Sequence, residues 1–190
     1  MTSKIEQRQV SRLPPLPDLS ADPIVQSLFD DTTRRGGQVI NLHLVMAHAP
    51  RIALAKRALA SALRYDALTP RDVRELVIVR TAQIVGSDYE LNQHRPMALA
   101  AGISAAKFDA IANWRASTLF DGRERALLTY VEAVAGGGDV DDLTWRTFAR
   151  HFTPGEIVEL TVVISSYYAT GLFAKALKIE VEDDGRLTSP

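Results

Sequence analysis

An all-α, single-domain multi-helix bundle is what this sequence predicts, and three observations carry the prediction. From Pro23 to about Lys178 apolar residues recur at three- and four-residue spacing, and period-two alternation is rare. Several of these segments open on explicit helix-capping chemistry and close on glycine. The chain has 190 residues and no cysteine, long enough to bury one core without disulfides or a thiolate-bound metal.

Taken in order, Ser11 to Pro23 holds four of the nine prolines, and residues 1–22 read as an extended surface arm or, equally, as a flexible tail. Helices are then expected over 22–34, 38–48, 50–65, 70–85, 88–101, 104–114, 122–135, 141–151 and 154–177, with a helical domain over 23–180 and a tail over 181–190. Thr69-Pro70-Arg71-Asp72 and Thr153-Pro154-Gly155-Glu156 offer a hydroxyl cap, proline at the first helical position and an acid in the first turn. Asp121 to Glu124 and Ser87 to Glu90 have capping-box spacing. Gly86, Gly102 and Gly136 to Gly138 supply the stops. The segment from Glu75 to Val85 is apolar on more than one face, as a helix surrounded by others must be. The β-branched run from Ile157 to Ile164 has strand propensity, but the box at Thr153 assigns it to a helix.

Composition narrows function. Lys and Arg total 22 against 23 for Asp and Glu, and no dense basic run occurs, so no nucleic-acid partner is expected. The first ten residues are polar and charged and the apolar runs, such as Leu76 to Val79, are short, so the expectation is a cytoplasmic protein with no membrane partner.

Chemistry concentrates between Glu75 and Ala105. Glu90 and His94 stand four apart and project from one helix face, where a carboxylate can steer an imidazole for proton transfer near neutral pH. A turn at Gly86-Ser87 would return the chain antiparallel and bring Glu75 opposite them. A blander reading has Glu90 reaching back to cap the Ser87 N–H, and both readings stand at this point. His43 and His48, five apart, do not share a helix face for metal ligation, and no metal is assigned. His151 has no polar constellation beside it. Tyr167, like Tyr168, lies late in the apolar last helix and can turn its hydroxyl into a cavity. The glycine run at 136–138 lacks the Lys-Ser/Thr of a phosphate loop, and Ser61, Ser165 and Ser166 lie outside any G-x-S-x-G context.

The stretch RELVIVRTAQIVGSDYELNQHRPMALAAGIS, Arg74 to Ser104, resembles the core of the carboxymuconolactone decarboxylase family, whose superfamily includes alkylhydroperoxidase D. NLHLVMAHAP at 41–50 is similar to the family's preceding helix and proline stop. The resemblance implies an alkylhydroperoxidase D-like bundle assembled as a homo-oligomer, a trimer or hexamer, for which the proline-rich arm is a suitable wrapping element. In the peroxidase branch a Glu, a C-x-x-C pair and a His form a redox relay. Those positions fall on Glu75, Ser87, Glu90 and His94. With both thiols replaced, disulfide chemistry is closed to these residues and the acid–base half survives. The decarboxylase branch acts without metal or organic cofactor on small carboxylated lactones met in aromatic compound catabolism. On that likeness the substrate is a small anionic cyclic metabolite, His94 the proton donor, Glu90 and Glu75 its catalytic partners, and Arg80 or Arg95 the carboxylate ligand, with Ser87, Tyr89 and Tyr167 lining the site. Lactone hydrolysis and double-bond isomerisation would use the same groups, and a non-catalytic, ligand-binding member is the alternative.

Overall fold

The structure is a computed structural model and describes residues 11–14, 16, 21–34 and 37–182. Most of the expected arm over 1–22, and all but two residues of the expected tail over 181–190, lie outside the described residues. Among the described residues there are nine α-helices and no strand. They are α1 (Pro23–Arg34), α2 (Asn41–Met46), α3 (Pro50–Tyr65), α4 (Arg71–Val85), α5 (Asp88–Ala100), α6 (Ala105–Ala110), α7 (Gly122–Ala135), α8 (Asp142–Ala149) and α9 (Pro154–Ala176).

Helix α4 is the hub, packed against α5, α7 and α9. Its lack of amphipathicity follows from serving two cores at once. Val73, Val77 and Ile78 enter a cluster with Leu127, Val131, Phe148, Leu160 and Ile164, while Leu76 and Val79 enter another with Ile111, Trp114 and Leu128. Each fully buried Leu or Val contributes about 1.5–3 kcal/mol. Helix α9 is long and apolar enough, by length and composition, to cross a bilayer, which corrects the expectation that every apolar run is too short. Here its apolarity meets α4, α5 and α7.

Three local expectations are modified. The helix expected over 38–48 is shorter because Ile40 is extended and Ala49, which precedes Pro50, is pushed off helical backbone. The one expected over 104–114 becomes α6 followed by a 3-10 turn, Ile111–Ala116, inside which Asn113 leaves helical backbone (φ −120°, ψ 31°). Thr69 does not cap α4: its hydroxyl and N–H both donate to the Glu159 carboxylate of α9, which also takes the Leu68 N–H at 2.5 Å. The boxes at Asp121 and Thr153 form in both directions.

Two glycines position the functional region. Gly86 (φ 67°, ψ 47°) ends α4 in the left-handed conformation, and the Ser87 N–H returns to the Ala82 carbonyl, so α5 runs back along α4. Gly171 of α9 lets that helix lie against the turn, since a Cβ there would fall 2.4 Å from Val85 Cγ1. Lys175 reinforces the contact by donating to the Val85 carbonyl at 2.6 Å.

Candidate active site

Helices α4 and α5 face one another across the Gly86 turn, and their ionisable residues meet. Glu75, wholly buried, places Oε2 2.8 Å from His94 Nδ1, and Glu90, one turn before His94, places Oε2 3.7 Å from Nε2. Arg71 Nη2 lies 2.6 Å from Glu75 Oε1, off the hydrogen-bonding direction, so that oxygen has a charge partner and no hydrogen bond. Tyr167 of α9 stands edge-on to the imidazole, ring centroids 5.0 Å apart at 87°.

The two carboxyls are driven in opposite directions. Burial would raise Glu75, but His94 and Arg71 outweigh it and hold its carboxyl below the ordinary range. Burial raises Glu90, the Glu75 charge adds to the rise, and His94 and Lys56 oppose it only in part. With Glu75 ionised, His94 Nδ1 carries the hydrogen that it donates, which leaves Nε2 facing Glu90 and the cavity. Burial likewise raises the Tyr167 phenol, helped by the charges of Glu90 and Glu75, so it stays protonated.

Arg71, Glu90, His94 and Tyr167 line a cavity of about 180 Å³ between α2, α3, α4, α5 and α9, and Glu75 reaches it only through His94. Its cations are Lys56, Arg64, Arg71 and Arg74. Lys56 Nζ donates to Thr170 Oγ1 at 2.6 Å, and burial lowers its pKa against the opposing pull of Glu90. Arg74 is spent on the Thr69 carbonyl. Among the described residues no cluster of His, Cys, Asp and Glu suits a metal ion.

Of the residues expected at the site, the structure brings together Glu75, Glu90, His94, Tyr89 and Tyr167. Ser87 is buried behind them as the cap of α5, accepting from the Glu90 N–H at 3.4 Å. Its own N–H goes to Ala82, so the Glu90 carboxylate faces His94 and is no cap. Tyr89, buried, commits its hydroxyl elsewhere, accepting from the Leu42 N–H at 3.2 Å and donating to the Glu182 carboxylate at 3.1 Å. Neither expected arginine is present. Arg80 points to the far side of α4, where Glu132 takes its Nε and Nη2 and also binds Trp114 and Arg115. Arg95, the residue after His94, is turned about a quarter of the way round α5 from it, away from the cavity, and pairs with Asp109 at 2.8 Å in solvent. The i, i+4 spacing of Arg71 and Glu75 was the available signal for the cation that is there. No spacing signals Lys56 or Arg64, which arrive from α3 through tertiary packing. His43 lines the cavity, whereas His48 Nε2 holds the Pro14 carbonyl at 2.7 Å.

A buried carboxylate, imidazole and carboxylate stand together here beside cations and an aromatic ring inside a helical bundle, an arrangement whose groups are chemically able to pass a proton. Residues 50–133, which include Glu75, Glu90 and His94, match the model of the carboxymuconolactone decarboxylase family. That matched stretch, less than half of the chain, is what resembles the family; the chain has no cysteine, and its fold is alkylhydroperoxidase D-like. The uncharacterized protein YnjA of Escherichia coli (strain K12) is 32% identical over 111 residues, 58% of this chain and 61%, less than two thirds, of that relative. Among solved structures, an uncharacterized peroxidase-related protein with an alkylhydroperoxidase AhpD core from Ralstonia eutropha JMP134 superposes with a TM-score of 0.78 at 22% identity, covering 92% of this chain and 93% of that one. The debrominase Bmp8, in its C82A form with 2,3,4-tribromopyrrole, gives 0.74 at 18% identity over 94% and 92%. At these identities the likeness to both structures is one of fold.

Proposed function

We propose that this protein is an acid–base enzyme of the carboxymuconolactone decarboxylase type, acting on a small anionic cyclic metabolite by decarboxylation or by the related lactone hydrolysis or isomerisation. The observation that carries the reading is the 2.8 Å contact between Glu75 and His94, with Glu90 on the other ring nitrogen, all three side chains buried and His94 and Glu90 lining one cavity. Groups driven to opposite protonation preferences a few ångströms apart are the arrangement that proton transfer at neutral pH requires.

In a decarboxylation the bond to the departing carboxylate breaks, CO2 leaves, and its electron pair delocalises toward the lactone carbonyl. Protonated His94, held by ionised Glu75, delivers the proton to carbon from Nε2 and is recharged from solvent. Glu90, its carboxyl raised, holds a proton beside Nε2 and sets the side from which it arrives. Lys56 and Arg64 take the substrate carboxylate, the task first expected of Arg80 or Arg95. No residue of the chain can act as a cysteine nucleophile, so thiol-dependent peroxide reduction is not proposed.

We place the enzyme in the cytoplasm as a homo-oligomer, a trimer or hexamer. Helix α3, sixteen residues long, buries only Ala53 and exposes Ile52, Leu54 and Leu59, and α9 exposes Val158 and Leu172. A helix so sparsely packed has little stability of its own and gains it by covering that apolar face. Wild type, His94→Ala and Glu90→Gln assayed against a panel of carboxylated lactones, with CO2 release and substrate loss followed together, test the reading. Turnover in wild type that is lost with His94 supports it, and turnover indifferent to His94 refutes it.

A further inference from the structure

A second hollow opens beside the site. It measures about 100 Å³ and lies between α1, α2 and α3, walled by Val25, Leu28, Phe29, Met46 and Ala53. The two hollows share a wall made by Leu42, His43, Lys56 and Ala60. The polar groups that border the second hollow are committed elsewhere. Thr32 donates to the Leu28 carbonyl at 2.8 Å, and Arg57 is held by Thr32 and by Asp31 at 2.6 Å. Burial and the Arg57 charge push the His43 imidazole down to about 4, so it borders the hollow as a neutral ring.

We infer that this hollow is the second half of the substrate site, and that the natural substrate is an anion carrying an apolar substituent of about four or five carbons. The size follows from comparison with apolar cavities of about 150 Å³, which take up a benzene ring. The inference rests on the acid–base reading for what happens at the charged end. The carboxylate lies among Lys56, Arg64 and His94, and the substituent passes between Leu42 and Ala60 into the chamber lined by Met46. Lys56 stands at the junction, its amine on the charged side and its methylenes on the apolar side. A compact, wholly polar lactone acid would leave the chamber unfilled and forgo the affinity it offers.

The chain carries its own reporters. Of its three methionines, Met97 lines the charged cavity, Met46 lines the apolar chamber, and Met1 lies outside the described residues. The full chain with methyl-labelled methionine is titrated by NMR with straight-chain carboxylates from acetate to decanoate. Acetate is expected to shift Met97 alone. Longer chains are expected to shift Met46 as well, with affinity rising about fourfold for each buried methylene until the chamber fills. Ala53→Leu, which intrudes on the chamber, is expected to shorten the chain length at which affinity levels off by about two or three carbons while acetate binds as before. Met46 silent at every chain length overturns the proposal, as does a folded Ala53→Leu protein with unchanged long-chain affinity. If Ala53→Leu fails to fold, the wild-type Met46 response decides alone. A chain-length response without turnover of any lactone removes the proposed reaction and leaves the two-chamber site standing. Turnover with a silent Met46 does the reverse.

Discussion

Glu75 and His94 are separated by 19 positions in the chain and by 2.8 Å in space, and both side chains are buried. A carboxylate placed there without partners would be too costly to ionise. His94 and Arg71 make it affordable, and the stability of α4 is thereby tied to the chemistry of α5. Glu75→Gln keeps the shape and removes the charge. It should cut turnover by about 100-fold or more and, because Arg71 loses its anion, lower unfolding free energy by about 1–3 kcal/mol, read from steady-state kinetics and urea melts.

The two glutamates should leave opposite marks on stability against pH. Glu75 has a folded pKa below its unfolded one, so its contribution is present above the unfolded value and is lost as pH falls through the folded value. Glu90 has a folded pKa above its unfolded one, so ionising it costs stability as pH rises from the unfolded value to the folded one. Glu90→Gln should therefore melt higher than wild type at neutral pH, the gap closing on acidification below the ordinary glutamate range. Thermal melts from neutral to acidic pH check this, and a gap that widens toward acid contradicts it. A side chain that costs stability where the protein works is the mark of a group kept for function.

Under the proposed function, Arg80 is a structural cation and Lys56 a substrate-binding one. Arg80 ties α4 to α7 through Glu132, so Arg80→Ala should cost about 1–2 kcal/mol of stability and leave kcat/KM of the remaining folded enzyme within about twofold. Lys56→Ala should raise KM for an anionic substrate about tenfold or more, with a smaller stability cost. Kinetics and denaturant unfolding measured on both variants are the test.

Gly171 sets how closely α9 approaches the turn between Glu75 and His94. The added methyl of Gly171→Ala would overlap Val85 and press on Ser87, whose Cβ is 3.2 Å away. The expected cost is about 1–3 kcal/mol. Because Tyr167 is one helical turn earlier on α9, its edge contact with His94 should loosen, and turnover should fall more than substrate binding does. Calorimetric melting and separate kcat and KM values report the two effects.

Much of this molecule was legible before any coordinates, and the reason is that its signals are local. A hydroxyl or carboxylate cap, a first-turn acid and a stopping glycine act within four residues, so the helices fall close to where spacing and caps placed them. Glu90 and His94 share a face because α-helical geometry admits no other outcome at four residues. Where a side chain met a distant competitor the local rule failed: Thr69 gave up its cap to Glu159 on α9, and Arg80 turned to Glu132 on α7. Arg95 failed for a different reason, since the residue next to His94 is rotated about 100° away from it. The cations that do face His94, the second chamber and the opposed ionisation of Glu75 and Glu90 depend on which helices pack against α4 and how deeply. Local pattern governs backbone conformation because its forces act within a turn, whereas solvation and pairing of a buried charge are properties of everything that surrounds it, and only the packed tertiary structure decides those.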